Sequence, residues 1–235
     1  MKVVILAAGR GTRLGKAYPK TLTSLKDGKS ILSHQIDGLC QYVNREDIYI
    51  VVGYKKGLIM EVFPDLSHID NDRYDETNTS QSLLIALNHI SDEDILWLNG
   101  DIVFDHRVIG RLLDYGKSCM AVNTAQVGDE EVKYRTNEMG HVIEISKEVG
   151  SPQGESVGIH NIPAKEVPIL IKYLSDCKDQ DYFEKGLELA IQDGLEVSPI
   201  DISDLNCIEI DFPEDLNSVN KMLDKRNDIK IINNH

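Results

Sequence analysis

The first residues able to do chemistry are Leu6-Ala7-Ala8-Gly9-Arg10-Gly11-Thr12-Arg13-Leu14, followed by Pro19-Lys20. Small residues and glycines directly after the apolar run Val3 to Ala7 let backbone N–H groups approach an anion closely, and two arginines and a lysine add fixed positive charge. The arrangement suits a polyphosphate chain. A glycine pair alone reads equally well as a tight strand-to-helix turn with solvated cations, and it is the added Pro19-Lys20 that favours the cradle. Gly9, Gly11 and Gly15 also imitate the glycine spacing of a dinucleotide-binding turn. That motif needs a second strand within a unit of ~30 residues and an acidic residue about 20 positions on. The next strand-like run, Ile48 to Val52, comes too late for it.

Two carboxylates follow strand-like runs in the same way: Asp101 after Asn99-Gly100, and Asp211 within Ile208-Glu209-Ile210-Asp211-Phe212-Pro213-Glu214-Asp215-Leu216. Each also has a plain structural reading. Asp211-Phe212-Pro213-Glu214 is an Asp-led relative of the capping box before a helix, with Pro in its first turn, and Asp101 could be a turn residue. Asp105 and Asp215 read as helix-start residues. Asn99-Gly100-Asp101 is not the Asp-x-Asp that a glycosyltransferase of related architecture would show. The histidines at 34, 68, 89, 106, 141 and 160 are scattered, and Cys40, Cys119, Cys177 and Cys207 make no C-x-x-C pair, so they read as buried thiols.

The elements that must position these groups alternate. Strands are expected at Val3 to Ala7, Ile48 to Val52 and Ile95 to Leu98, with helices over Ser30 to Tyr42, Ser80 to His89 and His106 to Tyr115, the last capped by Asp105. From Ser118 the runs Met120 to Thr124, Val132 to Arg135 and His141 to Ser146, with a turn at Asn137 to Gly140, read as antiparallel strands. Helices over Lys165 to Leu174 and Tyr182 to Asp193, strands at Val197 to Ile202 and Cys207 to Ile210, and a last helix from Pro213 complete the chain. The expectation is one α/β domain over 1–235. It has a mainly parallel, doubly wound sheet and a small antiparallel insertion at about 118–160. In such sheets ligands sit beyond the carboxyl ends of the strands, where Gly9, Asp101 and Asp211 all fall.

With 235 residues and a formal charge of -14, the chain can bury a sizeable core but is ill suited to nucleic acid, whose phosphates are bound by neutralising them. Against that acidity, Arg10, Arg13, Lys16 and Lys20 are concentrated in one short segment. No apolar run reaches the roughly 18 to 20 residues that span a bilayer. Gly9 and Gly11 break the first one too early for a signal peptide. The expected compartment is the cytoplasm; oligomeric state is not legible.

The opening motif resembles the signature L-A-A-G-x-G-T-R-L followed by P-K of the sugar-phosphate and choline-phosphate type nucleotidyltransferases. Further matches are Asn71-x-x-Tyr74-x-x-Thr77-Asn78-Thr79-x-x-Ser82-Leu83, Gly100-Asp101, Gly154-Glu155-Ser156-Val157-Gly158, and the run from Ile208 to Leu216. The second and last of the family's motifs look most like the small CTP-dependent cytidylyltransferases that activate phosphocholine and related phosphoesters or phosphonates.

The resemblance implies a Rossmann-like nucleotidyltransferase fold and magnesium held by Asp101 and Asp211, a hard cation suited to carboxylate oxygens. It implies a nucleotide site at Leu6, Ala7, Ala8, Gly9, Arg10, Gly11, Thr12, Asn78, Thr79 and Ser82. Arg10 and Arg13 would hold the β- and γ-phosphates, and Lys20 would meet charge growing at the α-phosphate. Asn, Thr and Ser at 78, 79 and 82 could read a cytosine edge, or could simply start a helix. For the acceptor, Tyr134, Glu155, Tyr182, Phe183 and Glu184 offer aromatic faces and carboxylates suited to an ammonium group, as in phosphocholine or 2-aminoethylphosphonate. Core edge and solvated face are the ordinary roles of such residues. A sugar 1-phosphate or inositol 1-phosphate acceptor, with UTP or GTP as further nucleotide choices, is the nearest alternative. A non-catalytic nucleotide-binding module is the alternative of a different class.

Overall fold

The computed structural model describes residues 1–232 except Ser91, Gln126 and Asp129, with side chains as far as Asp224. Strand β1 (Lys2–Ala7) is apolar after its first residue and buried from Val3 onward. Such an uninterrupted run belongs in a parallel sheet covered on both faces. Alternation sends Val4 and Leu6 into one core and Val3, Ile5 and Ala7 into the other.

Strand β1 pairs in parallel with β2 (Ile48–Val52) and β4 (Ile95–Asn99), and β3 (Ser67–Asp70) extends the sheet beyond β2. On the other side β9 (Gly154–Ile162) runs antiparallel to β4 and to β6 (Cys119–Asn123), and β10 (Ser198–Asp201) ends the sheet parallel to β6. The strand order is β10-β6-β9-β4-β1-β2-β3. Within the span 118–160, β6 and β9 lie inside this sheet, while β7 (Lys133–Thr136) and β8 (Val142–Ser146) form a hairpin hung on β9. A separate antiparallel ribbon joins β5 (Ile102–Phe104) to β11 (Cys207–Glu209).

Helices α1 (Ile31–Leu39), α2 (Lys56–Val62) and α4 (Arg107–Tyr115) supply Leu32, Ile36, Ile59, Val108 and Leu112 to one core. Helices α3 (Thr79–His89), α5 (Val167–Ser175) and α6 (Phe183–Gln192) supply Leu83, Leu87, Leu170 and Leu187 to the other. The architecture is therefore α/β with a mainly parallel, doubly wound sheet. Helix α7 (Pro213–Ile232) packs Val219, Met222 and Leu223 with Leu14, Leu25 and Val103, which ties the loop after β1 to the ribbon.

Helix starts follow local chemistry. Ser30 Oγ accepts from the Ser33 N–H at the start of α1, and the Asp105 carboxylate accepts from the Arg107 N–H at the start of α4. Of the four cysteines, Cys119 is buried but Cys40 is exposed, because it ends α1 at the surface. Among the described residues no helix is long and apolar enough to cross a membrane.

Candidate active site

A cleft of about 700 Å³ opens at the carboxyl ends of β1 and β4, with Ala7, Gly11, Lys20, Asn99 and Asp101 in its wall. The loop after β1 is shaped by two left-handed residues, Gly11 (φ 58°) and Gly15 (φ 66°), which bracket a single 3-10 turn, Thr12–Leu14. Leu14 is buried and anchors that turn against α7. Glycine at 11 is required twice, since a Cβ there would overlap the Cβ of Lys20.

Lys20 is only 8% exposed. Its Nζ donates to Asp211 Oδ1 at 2.5 Å and to Asp101 Oδ2 at 2.9 Å. Burial alone would disfavour the ammonium, but Asp101 and Asp211 outweigh it and the lysine pKa is raised. Asp211 moves the opposite way: burial works against its charge, yet Lys20 and Arg13 hold its pKa below the ordinary value. Arg13 reaches the other oxygen of Asp211 at 2.8 Å.

Two features set the carboxylates. A Cβ on Gly100 would come within 2.7 Å of the Leu6 carbonyl oxygen, so the chain turns into Asp101 hard against β1. The Ile210 N–H then donates to the Asp101 carbonyl at 3.0 Å, bringing Asp211 beside Asp101. The capping reading of Asp211 is corrected here. Asp215 Oδ2 accepts from the N–H groups of Asp211 and Phe212, at 3.0 and 2.7 Å, so the side chain of Asp211 is left for Lys20 and Arg13. Glu209 joins the pair, and one oxygen from each of Asp101, Glu209 and Asp211 lies within 4.8 Å of the others. The pKa of Glu209 is raised by the charge of Asp101 first, then by burial and by Asp211. Among the described residues, Asp101 Oδ1 is buried with no hydrogen-bond partner. Three oxygen donors and one orphaned buried carboxylate oxygen fit a hard divalent cation such as magnesium.

Leu6, Ala7, Gly9, Gly11, Thr12 and Arg13 line the cleft; Ala8 and Arg10 do not. Ala8 is buried, and its carbonyl accepts from the Tyr54 N–H at 2.9 Å. The Arg10 guanidinium lies 5.9 Å from the Tyr74 ring centre and 3.8 Å from the Asp75 carboxylate. Asn78 and Thr79 line the cleft, but their polar atoms start helices: Asn78 Oδ1 accepts from the Thr79 N–H at 2.8 Å, and Thr79 Oγ1 from the Phe183 N–H at 3.0 Å. Ser82 is removed from any base contact, being buried with its hydroxyl accepting from Asn71 Nδ2 at 3.0 Å.

Of the acceptor residues, Tyr182, Phe183 and Glu184 reach the cleft. Tyr134 does not: it is 3% exposed and packs in the core, because alternation on β7 turns it inward. Glu155 also lies outside the lining and accepts from the Gly128 N–H at 3.0 Å. Glu184 is buried in the cleft wall, and burial pushes its carboxyl up to about 7. Sequence reasoning missed Glu131, Lys147 and Glu209. Lys147 Nζ sits 5.2 Å from the Tyr182 ring centre, on the aromatic face expected to hold an ammonium.

A model of the MobA-like NTP transferase domain matches residues 3–152. The bifunctional protein GlmU of Methanococcus maripaludis is 36% identical over 163 residues, covering 67% of this chain and 37% of that protein. The chain thus spans well under half the length of that relative. AglF of Haloferax volcanii, a UTP–glucose-1-phosphate uridylyltransferase, is 26% identical over 238 residues, 95% of this chain and 96% of its own. Among solved structures, the CTP:phosphocholine cytidylyltransferase LicC of Streptococcus pneumoniae superposes with a TM-score of 0.78 at 20% identity, covering 94% of this chain and 98% of LicC. The inositol-1-phosphate CTP transferase of T. maritima gives 0.79 at 19% identity, covering 95% of each chain. At those identities the likeness is one of fold, and it is the α/β nucleotidyltransferase fold expected from the sequence.

Proposed function

The chain belongs to the MobA-like NTP transferase domain family, and from that premise we propose that it transfers CMP from CTP to a small phosphorylated or phosphonate acceptor such as phosphocholine or 2-aminoethylphosphonate, releasing pyrophosphate. The observation that carries nucleotidyl transfer is the buried Lys20, held between Asp101 and Asp211 at the carboxyl ends of the central strands. A lysine desolvated there is a preorganised cation facing the place where a phosphate chain would lie along Gly9 to Arg13.

The chemistry follows from charge. An acceptor phosphate oxygen attacks the α-phosphorus in line with departing pyrophosphate, and the two anions meet only if cations offset their repulsion. Lys20 meets the charge growing at the α-phosphate. Arg13 exchanges Asp211 for the β- and γ-phosphates. The acceptor is already an anion, so neither a general base nor a covalent nucleophile is needed. Asp101 and Asp211, with Glu209 beside them, would hold magnesium, which when bound would neutralise phosphate charge.

The amine-bearing acceptor is supported by the carboxylates of Glu131 and Glu184 and the face of Tyr182, all among the residues that line the cleft. Lys147, on that same face, is placed to meet the acceptor's phosphate once it leaves the ring. A second reading, a sugar 1-phosphate with UTP, is favoured by the likeness to AglF over 95% of the chain. Pyrophosphate release decides between them. CTP, UTP, GTP and ATP are each paired with phosphocholine, 2-aminoethylphosphonate, glycerol 3-phosphate, inositol 1-phosphate and glucose 1-phosphate. Best turnover with CTP and an amine-bearing acceptor supports the first reading, and a preference for UTP with glucose 1-phosphate replaces it with the second.

A further inference from the structure

Helix α6 starts without a cap of its own. Tyr182 occupies the N-cap position and makes no side-chain hydrogen bond there, yet the first N–H groups of a helix have no partner inside it. The Phe183 N–H is satisfied from elsewhere, by Thr79 Oγ1 at 3.0 Å, across 104 residues of sequence. This bond belongs to a seam. The Asn78 N–H donates to the Asp179 carbonyl at 2.7 Å and the Ser80 N–H to the Asp181 carbonyl at 3.3 Å. Gln180 Nε2 returns a bond to the Glu76 carbonyl at 2.6 Å, and Arg73 pairs with Asp179 at 2.8 Å. Residues 179–183 are thereby fastened along the start of α3.

That seam joins two parts of the cleft. Asn78 and Thr79 line it from α3, while Tyr182 and Glu184, on either side of Phe183, line it from α6.

We propose that Thr79 is a positioning residue for the phosphorylated acceptor: its hydroxyl caps α6 in place of a local residue and so fixes Tyr182 and Glu184 for the acceptor. The inference rests on the nucleotidyl-transfer reading above. It assigns Thr79 an effect on the second substrate, which a residue serving only the nucleotide would not have.

The test compares Thr79→Val, which keeps the shape and loses the acceptor oxygen, with Thr79→Ser, which keeps the oxygen. Full-length protein is assayed with the best nucleotide and acceptor pair from the panel. Thr79→Val is expected to raise the acceptor KM about tenfold, on the order of the effect of leaving one part-buried N–H unpaired, with the nucleotide KM within about twofold of wild type. Thr79→Ser is expected to restore the acceptor KM. Amide exchange at Phe183, read by NMR, is expected to quicken in Thr79→Val and not in Thr79→Ser. If the valine variant does not fold, Thr79→Ala replaces it with the same expectation. A rise confined to the nucleotide KM, an equal rise in both, or no change in the acceptor KM overturns the proposal. Wild-type protein that turns over no pair in the panel is a different result, and it removes the nucleotidyl-transfer reading itself.

Discussion

Gly11 lies directly against the side chain of Lys20, with a left-handed backbone (φ 58°) and no room for a β-carbon between them. Gly15 has nearly the same conformation (φ 66°) but, among the described residues, nothing within 4 Å of where its β-carbon would stand. The two glycines therefore separate backbone strain from contact with Lys20. Alanine at 15 is expected to cost about 1 to 2 kcal/mol of stability through the left-handed conformation, with turnover little changed. Alanine at 11 adds a clash that Lys20 must relieve by moving away from Asp101 and Asp211, and turnover is expected to fall at least ~10-fold further than in Gly15→Ala. Thermal midpoints and initial rates of the two variants, side by side, check this.

Lys20→Ala is expected to leave triphosphate binding largely intact and to slow turnover by at least ~100-fold, since one preorganised donor aimed at developing charge is worth roughly 2.7 to 4 kcal/mol. The two carboxylates it joins, at 2.5 and 2.9 Å, would also be left to repel each other. Single-turnover rates with saturating nucleotide are the measurement. A variant within threefold of wild type would take Lys20 out of the proposed role.

Asp211 and Asp215 divide two jobs, facing Lys20 and Arg13 and capping the chain before α7. Asp215 accepts from the N–H groups of Asp211 and Phe212, just before α7, so Asp215→Ala is expected to lower stability by about 1 kcal/mol. Asp211→Asn keeps that cap and loses the charge facing Lys20 and Arg13. Together with Asp101→Asn, it is expected to weaken binding of Mn²⁺, measured directly by electron paramagnetic resonance as a magnesium probe, and to lower turnover with magnesium. Unchanged Mn²⁺ affinity in both asparagine variants would remove these residues as metal ligands.

What could be read in the sequence was whatever depends on neighbours along the chain. The run Ile48–Val52 is a strand because it is apolar throughout and buried at all but Tyr49. The glycine-rich turn after β1 and the position of Lys20 are likewise local. Strand β9 was missed because Gly154, Gly158, His160 and Asn161 break the apolar pattern, although it is the strand that joins β4 to β6. His160 is instead buried against Trp97, with ring centres 4.9 Å apart, and burial pushes its pKa down to about 3. Glu209 could not be placed without knowing that β11 pairs with β5 opposite Ile102, next to Asp101. Tyr134 was assigned to the cleft because the inward face of β7 is set by the hairpin's attachment to β9, a long-range fact.

Glu184 is expected to make the site sensitive to pH near neutrality. Its carboxyl is buried in the cleft wall, and desolvation raises its pKa to about 7, with Lys147 pulling the other way. A carboxyl whose folded pKa lies above its unfolded value contributes stability that is fully present below the unfolded pKa, and that contribution is lost as pH rises through the folded one. The window here runs from the ordinary value of 4.5 to about 7, and the shift corresponds to about 3 kcal/mol at most. Glu184→Gln is therefore expected to be more stable relative to wild type at pH 8 than at pH 5, as read from denaturation midpoints at both. Function runs in the opposite direction. Above pH 7 Glu184 is ionised and attracts an ammonium group, while every acceptor's phosphate also loses its second proton at about pH 6. The KM for an amine-bearing acceptor is therefore expected to fall more steeply from pH 6 to 8 in wild type than in Glu184→Gln, and the two proteins are expected to show the same dependence with glycerol 3-phosphate. Identical pH dependence of the amine-acceptor KM in wild type and Glu184→Gln would place Glu184 outside the acceptor's reach while leaving the stability effect intact.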